Sequence, residues 1–143
     1  MADLDRRALE ALVRQVLLEK LGGGCPVKKV ELPQLTVGDA HRMDTGHPGD
    51  RVWTRDLFTL EESPRLGCGL MVMEHTTFPW HLAYDEMDYV IEGRLDIIVD
   101  GKTVSAGPGE VLYVPKNTTI QFSVQDRARF LYVVYPADWQ NQT

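Results

Sequence analysis

FPWHLAYDEMDYVIEG, residues 78–93, decides how this chain is read. It brings one His and several acids close together and ends on Glu92-Gly93, as a β-strand running into a turn does. Glu86 and Asp88 lie two residues apart, so on a strand they project from one face, and that face is expected to point inward. Asp85 has the opposite parity unless the Tyr84-Asp85 segment bends. His81 is the one imidazole of the stretch, and Pro79 stands two residues before it, where a metal-binding barrel would carry a second.

Around this stretch the sequence alternates. Leu70, Val72 and Glu74 alternate with Met71, Met73 and His75; Leu95, Ile97 and Val99 with Asp96, Ile98 and Asp100; Ile120, Phe122 and Val124 with Thr119, Gln121 and Ser123. FLYVVY at 130–135 is apolar throughout and is expected to be a strand buried on both faces. Turn signals separate the runs: SPRLG, EGR, the Asp100-Gly101 pair, AGPGE and PKN. Many short strands at close spacing predict an antiparallel sandwich or barrel. No internal repeat or low-complexity segment interrupts them.

The first residues follow a different period. Over residues 3–21, Leu9, Leu12, Val13, Val16 and Leu17 fall on one side of a helical wheel, with Asp3, Arg7, Glu10 and Arg14 on the other. Asp3 or Asp5 suits the start and Gly22 the end. The chain therefore divides into an amphipathic helix at 1–22, a Gly-rich linker at 23–27 and a β-domain at 28–143. Such a helix is marginal alone in water, so its apolar stripe is expected to find a partner, in its own barrel, a second copy or another protein.

Bulk properties bound the function. With 143 residues, 43% hydrophobic and 25% charged, the chain suits one globular domain. A net charge of −6 argues against nucleic-acid binding. No apolar run is long enough to cross a bilayer, the helix lacks the polybasic face of a membrane-surface helix, and the N-terminus has no secretory h-region. Cys25 and Cys68 have no metal-like spacing, which suits a reduced, cytoplasmic protein without disulfides.

The motifs resemble those of the cupin superfamily, whose paired signature is G-x5-H-x-H-x3,4-E-x6-G and then G-x5-P-x-G-x2-H-x3-N. Glu86 and Gly93 match the Glu and Gly of the first half, and His81 its second His, while Pro79 replaces the first. In the second half Gly109 and Pro115 match; Asn117, Ile120 and Val124 replace the Gly, His and Asn. The expected fold is an all-β, single-domain cupin (antiparallel β-barrel or jelly roll) with a short N-terminal amphipathic helix. A tight transition-metal centre is not expected, because Pro79 and Ile120 offer no side-chain ligand. Glu86 and Asp88 are left as a weak Mg²⁺ site, with Glu74 and Asp85 as further oxygens.

FPWHLAYDEMDYVIEG, GEVLYVPKNTTIQF and RFLYVVYPADWQ further resemble the ethanolamine utilization protein Q family of bacterial microcompartments. The resemblance covers roughly residues 66–140. It implies acetate kinase activity, moving a phosphoryl group between ATP and acetate with Mg²⁺, and a homodimer. It also implies that residues 3–21 attach the protein to a microcompartment shell protein, as an encapsulation peptide does. The catalytic candidates are His81, Tyr84, Glu86 and Asp88, with Glu74, Trp80 and Asp85 around the substrate. The residues themselves supply no phosphate-cradling G-x-x-x-x-G-K-[ST] loop. Two alternatives stay open: a metal-free cupin acting as an assembly or binding module, and a metal-dependent oxygenase or isomerase built on His81 and Glu86. His41, Asp44, His47 and Asp50 in HRMDTGHPGD fit no closed metal site and read as a loop.

Overall fold

A computed structural model describes residues 5–20 and 25–143, with residues 18–20 given by their backbone alone. Contacts group the chain into two units, Met1–Gln34 and Leu35–Thr143. In the first, α1 spans Arg6–Lys20. Asp5 Oδ1 accepts from the Arg7 amide at 3.2 Å, which makes Asp5 the start signal. Arg6 and Glu10 pair one turn apart, 3.3 Å between Nε and Oε1. The start signal at Asp3, the stop at Gly22 and the first two residues of the 23–27 linker lie outside the described residues.

The second unit is the β-domain. Its strands are β1 (Arg51–Asp56), β2 (Gly67–Leu82), β3 (Asp85–Gly93), β4 (Leu95–Val99), β5 (Lys102–Ala106), β6 (Val111–Val114) and β7 (Thr118–Tyr135). All pairings among the described strands are antiparallel, in the order β1-β2-β7-β3-β6, with β4 between β5 and β7. The two longest strands are the hinge of the design. The first half of β2 and the second half of β7 lie between β1 and β3, whereas their other halves pair with each other and β7 there also pairs with β4. A β-bulge between Glu74 and Thr76 marks the change, so one ribbon serves two sheets that face each other across the core.

Two tight turns show why the sequence bends where it does. Asp100 and Gly101 both have positive φ, 49° and 76°, as a two-residue hairpin between β4 and β5 requires. Gly93 also has positive φ (79°), and a Cβ there would overlap the Arg127 carbonyl oxygen. Glycine is the residue that lets β3 end against β7.

The core is apolar, built from Phe78, Leu82, Val90, Leu95, Ile120, Phe122 and Phe130 among others. Ile120, Phe122 and Val124 are buried as their alternation predicts. Two expectations are corrected. Residues 118–124 and 130–135 belong to one 18-residue strand. FLYVVY is not buried on both faces: Phe130, Tyr132 and Val134 face the core, Leu131 and Val133 are half-buried, and Tyr135 is exposed. Strand β3 resembles it on its outer side, where Met87 and Tyr89 stand exposed beside Tyr113 and Val111 of β6.

Candidate functional site

Glu86 and Asp88 are carried by β3, whose two-residue period turns both into the barrel. Glu86 is 5% exposed and Asp88 0%. Their cross-strand neighbours are Val114 and Val134 for Glu86, and Leu112 and Tyr132 for Asp88. No cation stands among these neighbours. Apart from each other, Glu86 Oε2 and both oxygens of Asp88 have no hydrogen-bond partner in the protein. Burial, and then the charge of Asp88, push the Glu86 carboxyl well above the usual carboxylate range. Burial raises Asp88 likewise, partly offset by its interaction with Glu86. The pair therefore keeps its protons to higher pH than ordinary carboxyls do, in a wall that offers it no cation.

Two tyrosines flank the acids. The Tyr84 hydroxyl accepts from Trp80 Nε1 at 2.8 Å, and the Tyr132 hydroxyl donates to Asp56 Oδ1 at 2.6 Å. Burial raises both phenols, and the nearby Glu86 carboxyl adds to the effect. Glu86, Tyr84 and Tyr132 line a small pocket of about 30 Å³, together with Thr54, Trp80, Trp139 and apolar side chains. Outside it lies an open cleft of about 550 Å³, lined by Arg42, Asp44, Trp80, His81, Tyr84 and Trp139 among others. Met43, Thr54, Trp80, Tyr84 and Trp139 line both spaces.

The other sequence-predicted residues are placed as follows. Trp80 turns inward, with its ring 6.0 Å from those of Phe78 and Trp139. His81 is exposed on the cleft side, and its Nδ1 lies 2.8 Å from Thr119 Oγ1. It is not beside Glu86, because Phe78, Trp80 and Leu82 take the buried phase of β2 and leave Pro79 and His81 the other. The His81–Glu86 ligand pair implied by the cupin signature is thus taken apart by strand parity. Glu74 also departs from the acidic lumen expected for it. Met71 and Met73 join the core while Leu70, Val72 and Glu74 take the opposite phase. There Arg51 grips Glu74 Oε2 at 2.7 and 3.0 Å, and Arg127 lies 3.5 Å from Oε1. The Arg51 hydrogen bond holds the Glu74 carboxyl below its usual range. Asp85 accepts from the Lys116 amide (2.9 Å) and the Tyr113 hydroxyl (3.2 Å), fastening the outer face instead of lining the pocket.

The donor set decides what ion the site suits. Among the described residues no three His, Cys, Asp or Glu side chains converge on one point. Two neighbouring carboxyls are too few donors for a tight transition-metal centre, and suit at most an ion such as Mg²⁺ that takes few protein ligands. In the 41–50 loop the polar groups hold the loop itself: His41 Nδ1 accepts from the Gly38 amide, Asp44 from the Gly46 amide and Asp50 from the Thr45 hydroxyl. No helix among the described residues is long and apolar enough to cross a membrane. Tyr132, Asp56, Arg42 and Trp139 are site residues that the sequence reading did not single out. The one available signal was the placement of Tyr132 on the inward phase of FLYVVY.

Residues 4–141 match the family described as "Ethanolamine utilisation protein EutQ". The chain is 51% identical to the protein named "Acetate kinase EutQ" of Clostridioides difficile, over 99% of this chain and 98% of that one. It is 33% identical to "Acetate kinase EutQ" of Escherichia coli, over 96% of this chain, and spans 57% of that protein's length. Among solved structures, that of the Clostridium difficile EutQ protein superposes with a TM-score of 0.80 at 59% identity, covering 82% of this chain and 86% of the other. A cupin superfamily protein from Desulfitobacterium hafniense shares the fold at 18% identity, with a TM-score of 0.53 over 60% of this chain and 78% of that one.

Proposed function

This chain belongs to the ethanolamine utilisation protein EutQ family, and on that premise we propose that it moves a phosphoryl group between ATP and acetate. The observation that carries the reading is the Glu86–Asp88 pair: both buried, with no partner but each other, and with Glu86 on the lining of the small pocket beside the cleft. A stable fold gains nothing from two such carboxyls, so they point to a ligand. The resemblance of the chain to proteins named acetate kinase supplies the chemistry.

In this reading the cleft takes the nucleotide, and acetate enters the pocket beside Glu86. Phosphoryl transfer asks the protein for positioning and for charge around the moving group. Arg42 and His81, on the cleft wall, supply donors for phosphate oxygens. Glu86 and Asp88 would hold the Mg²⁺ that accompanies ATP, which would supply positive charge against the phosphates. Trp80 and Tyr84 shape the passage between the two spaces, and the Trp80–Tyr84 hydrogen bond keeps the phenol fixed there. Purified protein with ATP, Mg²⁺ and acetate, followed by ³¹P NMR, tests the reading. Acetyl phosphate should accumulate; its failure to form at any pH from about 6 to 8 contradicts the assignment.

Two associations belong to the same proposal. The exposed apolar row of Met87, Tyr89, Val111, Tyr113 and Tyr135 supports a homodimer through the β3–β6 face. The amphipathic α1 supports attachment of residues 3–21 to a microcompartment shell protein, and hence residence in that compartment.

A further inference from the structure

We propose that Trp139 sets the size of the acid that can bind beside Glu86, and so restricts the acceptor to the shortest carboxylates. The inference rests on the reading that the small pocket holds the acceptor. As it stands, that pocket measures about 30 Å³, room for little more than one or two waters. The cleft outside is many times larger, about 550 Å³. Met43, Thr54, Trp80 and Tyr84 line both spaces as Trp139 does, but of the five Trp139 alone also borders a third. It lines the pocket and the cleft, and also a third space of about 120 Å³ on the side of Asp56 and Tyr132. Its ring sits 5.4 Å from that of Tyr84 and 6.0 Å from that of Trp80, so three aromatic rings cluster along the pocket lining.

The three rings are not held alike. Trp80 lies within β2, in register with Ile120, and donates to Tyr84. Trp139 instead sits on a three-residue 3-10 turn, Trp139–Asn141, after the last strand. That turn is fastened by the Asn141 amide to Asp138 O (2.9 Å), the Gln142 amide to Trp139 O (3.2 Å) and Gln142 Nε2 to Asp138 Oδ1 (3.2 Å), all within the turn itself. Its tie to the barrel just upstream is the Ala137 amide on Arg65 O at 2.9 Å. An indole held by its own short turn can shift outward enough to admit a small acid while Trp80 stays in β2 and Tyr84 stays tied to it from the Ala83-Tyr84 bend. Each further methylene then meets the indole face, and pocket walls of this kind discriminate by about 10–200-fold per methylene.

The test is a chain-length series. Acetate, propionate and butyrate are compared as acceptors with Mg²⁺-ATP in wild type, Trp139→Ala and Trp139→Phe, reading kcat/KM ratios. The same acids are titrated without nucleotide by ligand-observed NMR, with Glu86→Gln included. The propionate-to-acetate ratio should rise at least tenfold in Trp139→Ala and less in Trp139→Phe, and the NMR affinities should follow the same order. Should Trp139→Ala fail to fold, Trp139→Phe and Trp139→Leu carry the comparison. Ratios and affinities within twofold of wild type in a folded variant overturn the proposal. If Glu86→Gln binds and turns over acetate as wild type does, the acceptor pocket is wrongly located. If Glu86→Gln loses acetate but the chain-length order is fixed in the Trp139 variants, the pocket stands and the role of Trp139 falls.

Discussion

Tyr132 reaches across Gly69 to donate its hydroxyl to Asp56, 2.6 Å away. The three residues form one row of the sheet, Asp56 opposite Gly69 and Gly69 opposite Tyr132, and Asp88 is the next residue along it. A Cβ on Gly69 would overlap the Tyr132 ring. The row therefore depends on an absent side chain: Gly69 makes the space through which the phenol passes.

Gly69→Ala should push Tyr132 out of this position and break its bond to Asp56. Overpacking of a core position costs about 1–3 kcal/mol, and the lost hydrogen bond adds about 1 kcal/mol. Urea unfolding would measure the sum. Tyr132→Phe should lose only the smaller part. A Gly69→Ala variant within about 0.5 kcal/mol of wild type would show that the row is not constrained as described.

Stability should fall as pH rises through neutrality. The unfolded chain releases the protons of Glu86 and Asp88 near pH ~4, whereas the folded state retains them to higher pH because both groups are raised. Over that interval the native state binds more protons than the unfolded one, so unfolding free energy drops by up to about 1.4 kcal/mol per pH unit for each proton retained. Glu74, whose carboxyl is lowered by Arg51, works in the opposite sense, contributing stability that is lost as pH falls below the carboxylate range. Urea midpoints from pH 5 to 8 should decline in wild type and flatten in Glu86→Gln/Asp88→Asn. Parallel curves for the two proteins would contradict the protonated pair.

A charge placed on the outer apolar face should separate the proposed dimer. Met87 and Tyr113 face each other across β3 and β6, each more than half exposed, at 52% and 58%. Sedimentation of Met87→Glu/Tyr113→Glu should give a folded monomer where wild type gives a dimer. Identical sedimentation of both would remove this face from the account.

Residues 1–22 fused to a fluorescent protein should form puncta in cells that build ethanolamine microcompartments, and diffuse light when Leu9, Leu12 and Val16 are changed to Ser. Diffuse fluorescence from the unaltered fusion would deny the helix a targeting role.

The sequence carried some of these features plainly and hid others for physical reasons. Glu86 and Asp88 were legible because a two-residue spacing fixes a shared face whatever the strand packs against. His81 was not, because the cupin signature aligns Pro79 and His81 with ligand positions, while the buried phase of β2 belongs to Phe78, Trp80 and Leu82. Glu74 misled for a related reason. Leu70 and Val72 are as buried as Met71 and Met73, so alternation alone does not say which phase is the lumen. The bulge at Glu74/Thr76 then changes the register just where the acid stands. Trp139 lies on a turn too short to leave any period at all.

The central claim is that the barrel keeps Glu86 and Asp88 for chemistry and not for stability. Glu86→Gln tests it most directly, read at once by thermal unfolding at pH 8 and by acetyl phosphate formation. The account predicts a protein at least as stable as wild type, since a buried ionisable group is gone, with acetate phosphorylation reduced at least 100-fold. A Glu86→Gln protein that is folded and fully active would contradict it.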